Sequence, residues 1–190
     1  MYGSLEGRID ESSPPNPLSD YAIAHFASEQ ILRRVGAGAA GLVLRPCAVF
    51  GMPPDLGRFN RWSLIPFGFP RDAVAGRIVL KTPGLQHRNF VAADSLGSLV
   101  SRWLAEGATS VDVANAPGGE SMTVYDFARL CPRVAQEETG RDCAIERPVA
   151  AGSSAAALDY RSRHGAAPRS TLLDDHVRGL IRALFEKARP

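Results

Sequence analysis

Apolar positions recur along this chain with the spacing of helices in some stretches and of strands in others. Between Ser19 and about Arg34, the residues Ile23, Phe26, Ala27 and Ile31 fall on one helical face, with Ser19 or Asp20 able to cap the first turn. Gly36, Gly38 and Gly41 stop that helix. The clearest helical period follows Asp94, a good N-cap, with Leu96, Leu99, Val100, Trp103 and Leu104 behind it. Thr123 and Asp126 make a capping-box pattern for a helix that turns Val124, Phe127, Ala128 and Cys131 inward, and Pro132 is expected to bend or interrupt it. The last helix is expected after Thr171 and Asp174, with Leu173, Val177, Leu180, Ile181 and Leu184 as its apolar face and Lys187 and Arg189 near its C-terminus.

Between these helices lie short β-rich runs. Leu42 to Gly51 begins as an apolar run that fits a buried parallel strand. Ile78–Lys81, Asn89–Val91 and Val111–Asn115 read as strands, and Asp142–Arg147 as a short one. Met1–Pro17 and Gly152–Ala157 read as loops, and Met52–Gly76 allows only an irregular helix. Strands that alternate with helices place the chain in the α/β class.

Composition narrows the function. The chain has 190 residues, 45% hydrophobic and 22% charged, with a net charge of +2. No concentrated basic stripe supports nucleic-acid binding. The longest weakly polar run, Val35–Gly51, is broken by glycines, Pro46 and Arg45, which argues against a membrane span. Met1–Glu11 lacks the apolar stretch of a signal peptide. Cys47, Cys131 and Cys143 form no CxxC pair, so a reducing, cytoplasmic compartment is expected, with Cys47 a small apolar residue rather than a redox thiol. His25, His87, His164 and His176 lack metal-ligand spacing, so no metal site is expected.

Gly36-Ala37-Gly38-Ala39-Ala40-Gly41 matches GxGxxG, the fingerprint of dinucleotide binding. That chemistry needs a strand before the glycines and a helix after them, so that helix N-terminal amides meet the pyrophosphate. Here the predicted order is reversed, and Asn60 and Arg61 stand where an acidic ribose ligand belongs. The motif is read as a helix stop.

Several fragments are informative in their order. The chain reads Met1-Tyr2-Gly3, then Asp10-Glu11 with Pro14, Pro15 and Pro17, then Tyr21-Ala22-Ile23-Ala24-His25 with Glu29. Leu44-Arg45-Pro46-Cys47-Ala48-Val49-Phe50-Gly51-Met52-Pro53 comes next, then Arg88-Asn89-Phe90-Val91-Ala92-Ala93-Asp94. Asn115-Ala116-Pro117-Gly118-Gly119 and His164-Gly165-Ala166-Ala167-Pro168 complete the set. This series resembles the extended short-chain dehydrogenase/reductase family, the NAD(P)-dependent epimerases and dehydratases of nucleotide sugars.

The resemblance implies the C-terminal part of a Rossmann-like fold. Residues 1–51 and 86–117 correspond to a remnant of its sheet, and 52–85 and 118–190 to a substrate-binding region. The glycine-rich turn, the acidic ribose ligand and the catalytic Ser/Thr strand belong upstream of Tyr2. Met1 stands where the family usually has Val, as a start codon assigned inside a longer frame would produce. NAD or NADP is expected for the full-length family, and none for this chain alone.

The resemblance also implies site residues. Tyr21 matches the catalytic tyrosine, whose phenolate takes a proton from a sugar hydroxyl. A free tyrosine ionises near pH 10, and the family's lysine one turn on lowers that value and binds the ribose. His25 occupies that lysine's place, so Tyr21 and His25 are the catalytic and cofactor-contacting candidates. Arg88 matches an arginine placed on the sugar-nucleotide diphosphate, which a planar guanidinium suits. Arg45 is read as a substrate contact or as a brace for its loop. Asn60 and Trp62 fall where relatives build the sugar pocket, with Trp62 stacking on a base or packing in the core. Ala48 replaces an asparagine common in relatives. Asn89 replaces an aspartate and is expected to loosen a local hydrogen bond.

The expected activity is that of a nucleotide-sugar epimerase/dehydratase, UDP-hexose 4-epimerase-like. The alternatives are a non-catalytic sugar-nucleotide-binding or dimerisation module, or a fragment that needs a partner. A homodimer through the Tyr21 helix is a further expectation.

Overall fold

The computed structural model describes residues 1–36, 38–107, 109–149, 156–165 and 171–188. Its elements run β1 (Gly7–Ile9), α1 (Asp20–Val35), β2 (Gly41–Pro46), β3 (Ala48–Phe50), α2 (Ile65–Val74), β4 (Arg77–Val79) and β5 (His87–Ala92). They continue α3 (Ala93–Ala105), β6 (Val111–Ala116), β7 (Glu120–Thr123), α4 (Val124–Thr139), β8 (Ala144–Glu146), β9 (Leu158–Tyr160) and α5 (Leu173–Lys187). β2 pairs with β6, β1 with β9 and β4 with β8, all parallel. β5 lies between β3, parallel to it, and β7, antiparallel. The fold is α/β, as the alternation predicts, and Rossmann-like, as the resemblance implies.

The apolar run after Gly41 is two strands, not one. β2 joins β6, the chain steps at Cys47, and β3 joins β5. The main core lies between the β3–β5–β7 sheet and α2, α4 and α5, with Phe90, Phe127, Ile78, Leu173 and Ile181 buried within it. A second, smaller cluster joins Tyr2, Ile9, Leu158 and Tyr160. Met1–Pro17 is therefore not wholly loop: it carries β1 and the buried Tyr2.

Capping follows the sequence at α4, where the Thr123 hydroxyl accepts the Asp126 N–H at 3.0 Å. Pro132 lies inside α4 without interrupting it. The helix keeps its course because Phe127, Ala128, Cys131, Val134 and Ala135 are fully buried around the proline, which offsets the lost backbone bond. At α3 the N-cap is Ala92, and Asp94 is the second residue of the helix, inside its first turn. At α5 the expected cap does not form. The Thr171 hydroxyl instead donates to Asp94 at 3.0 Å, and the free Leu173 N–H donates to the Glu120 carboxylate at 2.8 Å. α2 has Pro66 in its first turn and Pro70 inside.

α1 differs most from expectation. Its inward residue is Glu29, and Ile23 and Ile31 face outward at 52% and 61% exposure. Of the sequence expectations, those for Ala37, Gly152–Ser154, Ala155, Ala166–Pro168 and Arg189 lie outside the described residues.

Candidate active site

α1 begins at Ser19, whose hydroxyl accepts the Ala22 N–H at 3.2 Å. Tyr21 and His25 are one turn apart on one face, with ring centroids 4.3 Å apart. Tyr21 is 76% exposed, so its hydroxyl is open to a ligand. Glu29 lies one further turn along and is buried. Its carboxylate accepts from Arg45 Nε at 3.0 Å and from Arg45 Nη2 at 2.6 Å, a two-point pair that ties α1 to β2.

Arg45 extends this pair into a network. Its Nη1 donates to Tyr2 Oη at 2.6 Å, and that hydroxyl donates to Asn115 Oδ1 at 2.7 Å. Asn115 Nδ2 donates to the Arg161 carbonyl at 2.9 Å, and the Asn115 N–H to Glu11 Oε1 at 2.8 Å. Glu11 also receives the Ser162 hydroxyl at 2.6 Å and the Arg163 N–H at 2.8 Å. The Tyr160 hydroxyl donates to the Arg45 carbonyl at 2.7 Å.

Burial acts against charge on Arg45, yet its hydrogen bonds to Glu29 and Tyr2 hold its pKa above the ordinary value. Burial raises the Tyr2 hydroxyl pKa despite Arg45. Burial also works against the Glu11 carboxylate, and the bonds from Ser162 and Arg163 prevail and lower its pKa. Sequence reasoning reached Arg45 but gave Tyr2, Glu11 and Asn115 no role. Their partners lie far away in the chain, and only Glu29's place on the Tyr21 face was visible beforehand.

A groove of about 1040 Å³ runs along β2. Tyr21 and His25 stand on one side of it, and Gln86 and Arg88 also line it, together with Ser63–Pro66. Arg88 is half-buried; its Nη1 donates to the His87 carbonyl at 2.8 Å, and among the described residues it has no carboxylate partner. A half-buried guanidinium with donors to spare is an anion-binding group. Cys47 also lines the groove, and burial pushes its thiol up to about 12, so it is not a ready nucleophile.

The structure thus brings Tyr21, His25, Arg45 and Arg88 to one groove, and Arg45 spends its donors on Glu29 and Tyr2. Asn60 and Trp62 do not line it. Trp62 meets Phe59 edge-on at 4.8 Å and lies under the Arg71 guanidinium at 5.4 Å. Asn89 is fully engaged rather than loosened. Its amide donates to the Gly118 and Glu120 carbonyls at 3.0 and 3.2 Å and to Ser121 at 3.0 Å, and its oxygen accepts the Gly118 N–H at 2.7 Å.

Gly36, Gly38 and Gly41 are not placed to cradle a dinucleotide pyrophosphate. Gly36 closes α1, its N–H donating to the Leu32 carbonyl at 2.8 Å, and Gly41 opens β2. These glycines meet a helix C-terminus, whose dipole repels an anion. Tyr21 and His25 carry groups able to hydrogen-bond a hydroxyl. No group of three His, Cys, Asp or Glu among the described residues is placed to hold a metal. No helix among them is long and apolar enough to cross a membrane.

Comparison with known proteins places these observations. The model of the "NAD dependent epimerase/dehydratase family" matches residues 1–115, a span that holds Tyr21, His25, Glu29, Arg45, Arg88 and Asn115. RMD from Pseudomonas aeruginosa, solved with NADPH, superposes with a TM-score of 0.75 at 17% identity, over 98% of this chain and 64% of its own. UDP-glucose 4-epimerase from Thermotoga maritima, solved with UDP-glucose, gives 0.65 at 23% identity, over 94% and 57%. A UDP-glucuronic acid 4-epimerase mutant from Bacillus cereus, in complex with a fluorinated UDP-sugar and NAD, gives 0.71 at 16% identity, over 98% and 59%. The chain therefore spans about three fifths of these structures. A glutamyl-tRNA(Gln) amidotransferase polypeptide of Lactobacillus gasseri is 32% identical over 76 residues, 38% of this chain but 16% of that protein. That share is too small to carry an argument.

Proposed function

The chain belongs to the NAD dependent epimerase/dehydratase family, and from that premise we propose that its groove binds a nucleotide sugar. Arg88 would hold the diphosphate, and the Tyr21 hydroxyl would exchange a proton with a sugar hydroxyl. The activity proposed is a nucleotide-sugar epimerase/dehydratase reaction, UDP-hexose 4-epimerase-like, carried out when the part of the fold that holds NAD or NADP is present. This chain alone is proposed to bind no dinucleotide.

The observation that carries the reading is Arg88 without a carboxylate partner among the described residues, in the groove that holds the open hydroxyl of Tyr21. The UDP-sugars named with the Thermotoga and Bacillus structures support that ligand class. His25 is shorter than lysine and lacks its fixed ammonium, so its support of Tyr21 is proposed to be partial. Arg45 serves as a brace that holds α1 and with it Tyr21. Asn60 and Trp62 are retained only as contacts for a sugar or base reaching beyond the groove.

Isothermal titration of the 190-residue chain with UDP-glucose, UDP and uridine tests the reading. Saturable binding of the two diphosphates is expected, weakened about 10-fold or more by Arg88→Met, since hydrogen bonds to charged groups contribute about 1.5–3 kcal/mol. Uridine binding as tight as UDP, or no effect of Arg88→Met, overturns it. The outward Ile23 and Ile31 support a homodimer through α1. Sedimentation should then show a dimer that Ile23→Asp with Ile31→Asp converts to monomer.

A further inference from the structure

We infer that Tyr2 is a positioning residue of the site: its hydroxyl, held between Arg45 and Asn115, sets the guanidinium that holds α1 and, through α1, the Tyr21 hydroxyl at the groove. Arg45 and Asn115 are register partners on β2 and β6. Both are buried. The Tyr2 hydroxyl bridges their side chains, accepting from Arg45 Nη1 at 2.6 Å and donating to Asn115 Oδ1 at 2.7 Å.

The direction of each bond follows from what each group can do. A guanidinium only donates, and a phenol has one proton. Arg45 must therefore give an N–H to Tyr2, and the phenol proton goes to Asn115. That turns Asn115 Nδ2 towards the Arg161 carbonyl, which accepts it at 2.9 Å. The phenol is itself anchored. Its ring packs with Ile9, Leu158 and Tyr160, meeting Tyr160 edge-on at 6.2 Å, and Arg45 Cζ lies 5.1 Å from the ring centroid. A phenylalanine at this position would keep the packing and strip a buried donor and a buried acceptor of their shared partner.

The effect reaches Tyr21 through one rigid plane. Arg45 turns Nε and Nη2 to Glu29 and Nη1 to Tyr2, so fixing one edge of the planar group fixes the other. Glu29 is the one buried residue of α1, and Ile23 and Ile31 face outward. The helix therefore takes its place from the Glu29 contact rather than from an apolar face. Tyr21 lies about two turns from Glu29 along the same helix face. Tyr160 supplies the contrast. It is buried beside Tyr2, but its hydroxyl donates to the Arg45 carbonyl at 2.7 Å and leaves the guanidinium alone.

What Tyr21 touches rests on the function proposed above; the hold of Tyr2 on α1 does not. Titration calorimetry with UDP-glucose and with UDP tests the inference on Tyr2→Phe, Tyr21→Phe, their double variant and Tyr160→Phe. Tyr2→Phe should lower the preference for UDP-glucose over UDP about 5-fold, with UDP affinity within about twofold of the unaltered chain. Tyr21→Phe should lower it as much, and the double variant no further, because both changes remove one contact. Tyr160→Phe, which also loses a buried hydroxyl, should leave the preference as it is. In the free chain, hydrogen exchange at the α1 amides should quicken about 10-fold in Tyr2→Phe and not in Tyr160→Phe. Equal effects of Tyr2→Phe and Tyr160→Phe on the preference, or additive losses from Tyr2→Phe and Tyr21→Phe, overturn the inference. Should the unaltered chain bind neither ligand, the function proposed above fails and α1 exchange decides the inference alone: the same rate in both variants overturns it, and a faster rate in Tyr2→Phe supports it.

Discussion

Glu29 on α1 and Arg45 on β2 meet through two hydrogen bonds, at 3.0 and 2.6 Å, and both side chains are buried. The pair fixes the helix that presents Tyr21 and His25, because Glu29 is the one buried residue of α1. Removing one partner leaves a buried charge uncompensated. Arg45→Met or Glu29→Met should each cost about 3–5 kcal/mol, whereas the double replacement should cost clearly less than their sum. Urea unfolding of the four proteins checks the cycle, and hydrogen exchange should show α1 loosening first in the single variants.

Asn89 and Gly118 make a second dependence that the sequence hides. A Cβ on Gly118 would lie 1.6 Å from the Phe90 carbonyl oxygen, a position no small shift relieves. Gly118→Ala should therefore destabilise by about 3 kcal/mol or more. Asn89→Asp keeps the size but loses the donors that reach two carbonyls and Ser121. A loss of about 2 kcal/mol or more is expected, since buried acceptors are left facing a carboxylate. Thermal melts of both variants measure these costs.

His176 predicts how stability varies with pH. It lies between Phe50 and Phe67, at ring distances of 5.3 and 5.5 Å, with Nε2 3.0 Å from the Pro66 carbonyl. Burial lowers its pKa below the ordinary value, with the Pro66 carbonyl opposing weakly. The unfolded chain then takes up a proton near pH 6.5 that the folded protein refuses. Stability should be full above about pH 6.5 and fall as pH drops towards the lower folded value. Glu11 adds a second loss at lower pH: its depressed pKa gives stability above about pH 4.3 that is lost as its folded value is passed. Melting temperatures from pH 8 to 3 should show both steps, and His176→Gln should remove the upper one.

Much of the fold was legible because it rests on local signals. The Thr123 capping box and the periods behind α3, α4 and α5 depend on neighbours three and four residues apart. What stayed hidden depends on distant partners. Leu173 is capped by Glu120, Pro132 is carried by a core packed from three helices, and Ile23 and Ile31 face outward because Glu29 turns α1 towards Arg45. β1, β7 and β9 are too short for any period to mark them. In the site, Tyr21, His25 and Arg88 were named from motif order, and the structure places them on one groove. Tyr2, Glu11 and Asn115 stand in the motif fragments, but their contacts are not legible there because the network closes only when both ends of the chain meet.

The central claim is that Tyr21, His25 and Arg88 form one nucleotide-sugar site. Nuclear magnetic resonance titration of the labelled chain with UDP-glucose tests it most directly. The Tyr21 and His25 ring signals and the Arg88 Nε–H should shift together along one saturation curve, and all three responses should weaken in Arg88→Met. Shifts confined to Trp62 and its neighbours, or Tyr21 and Arg88 signals that follow different curves, would contradict the account.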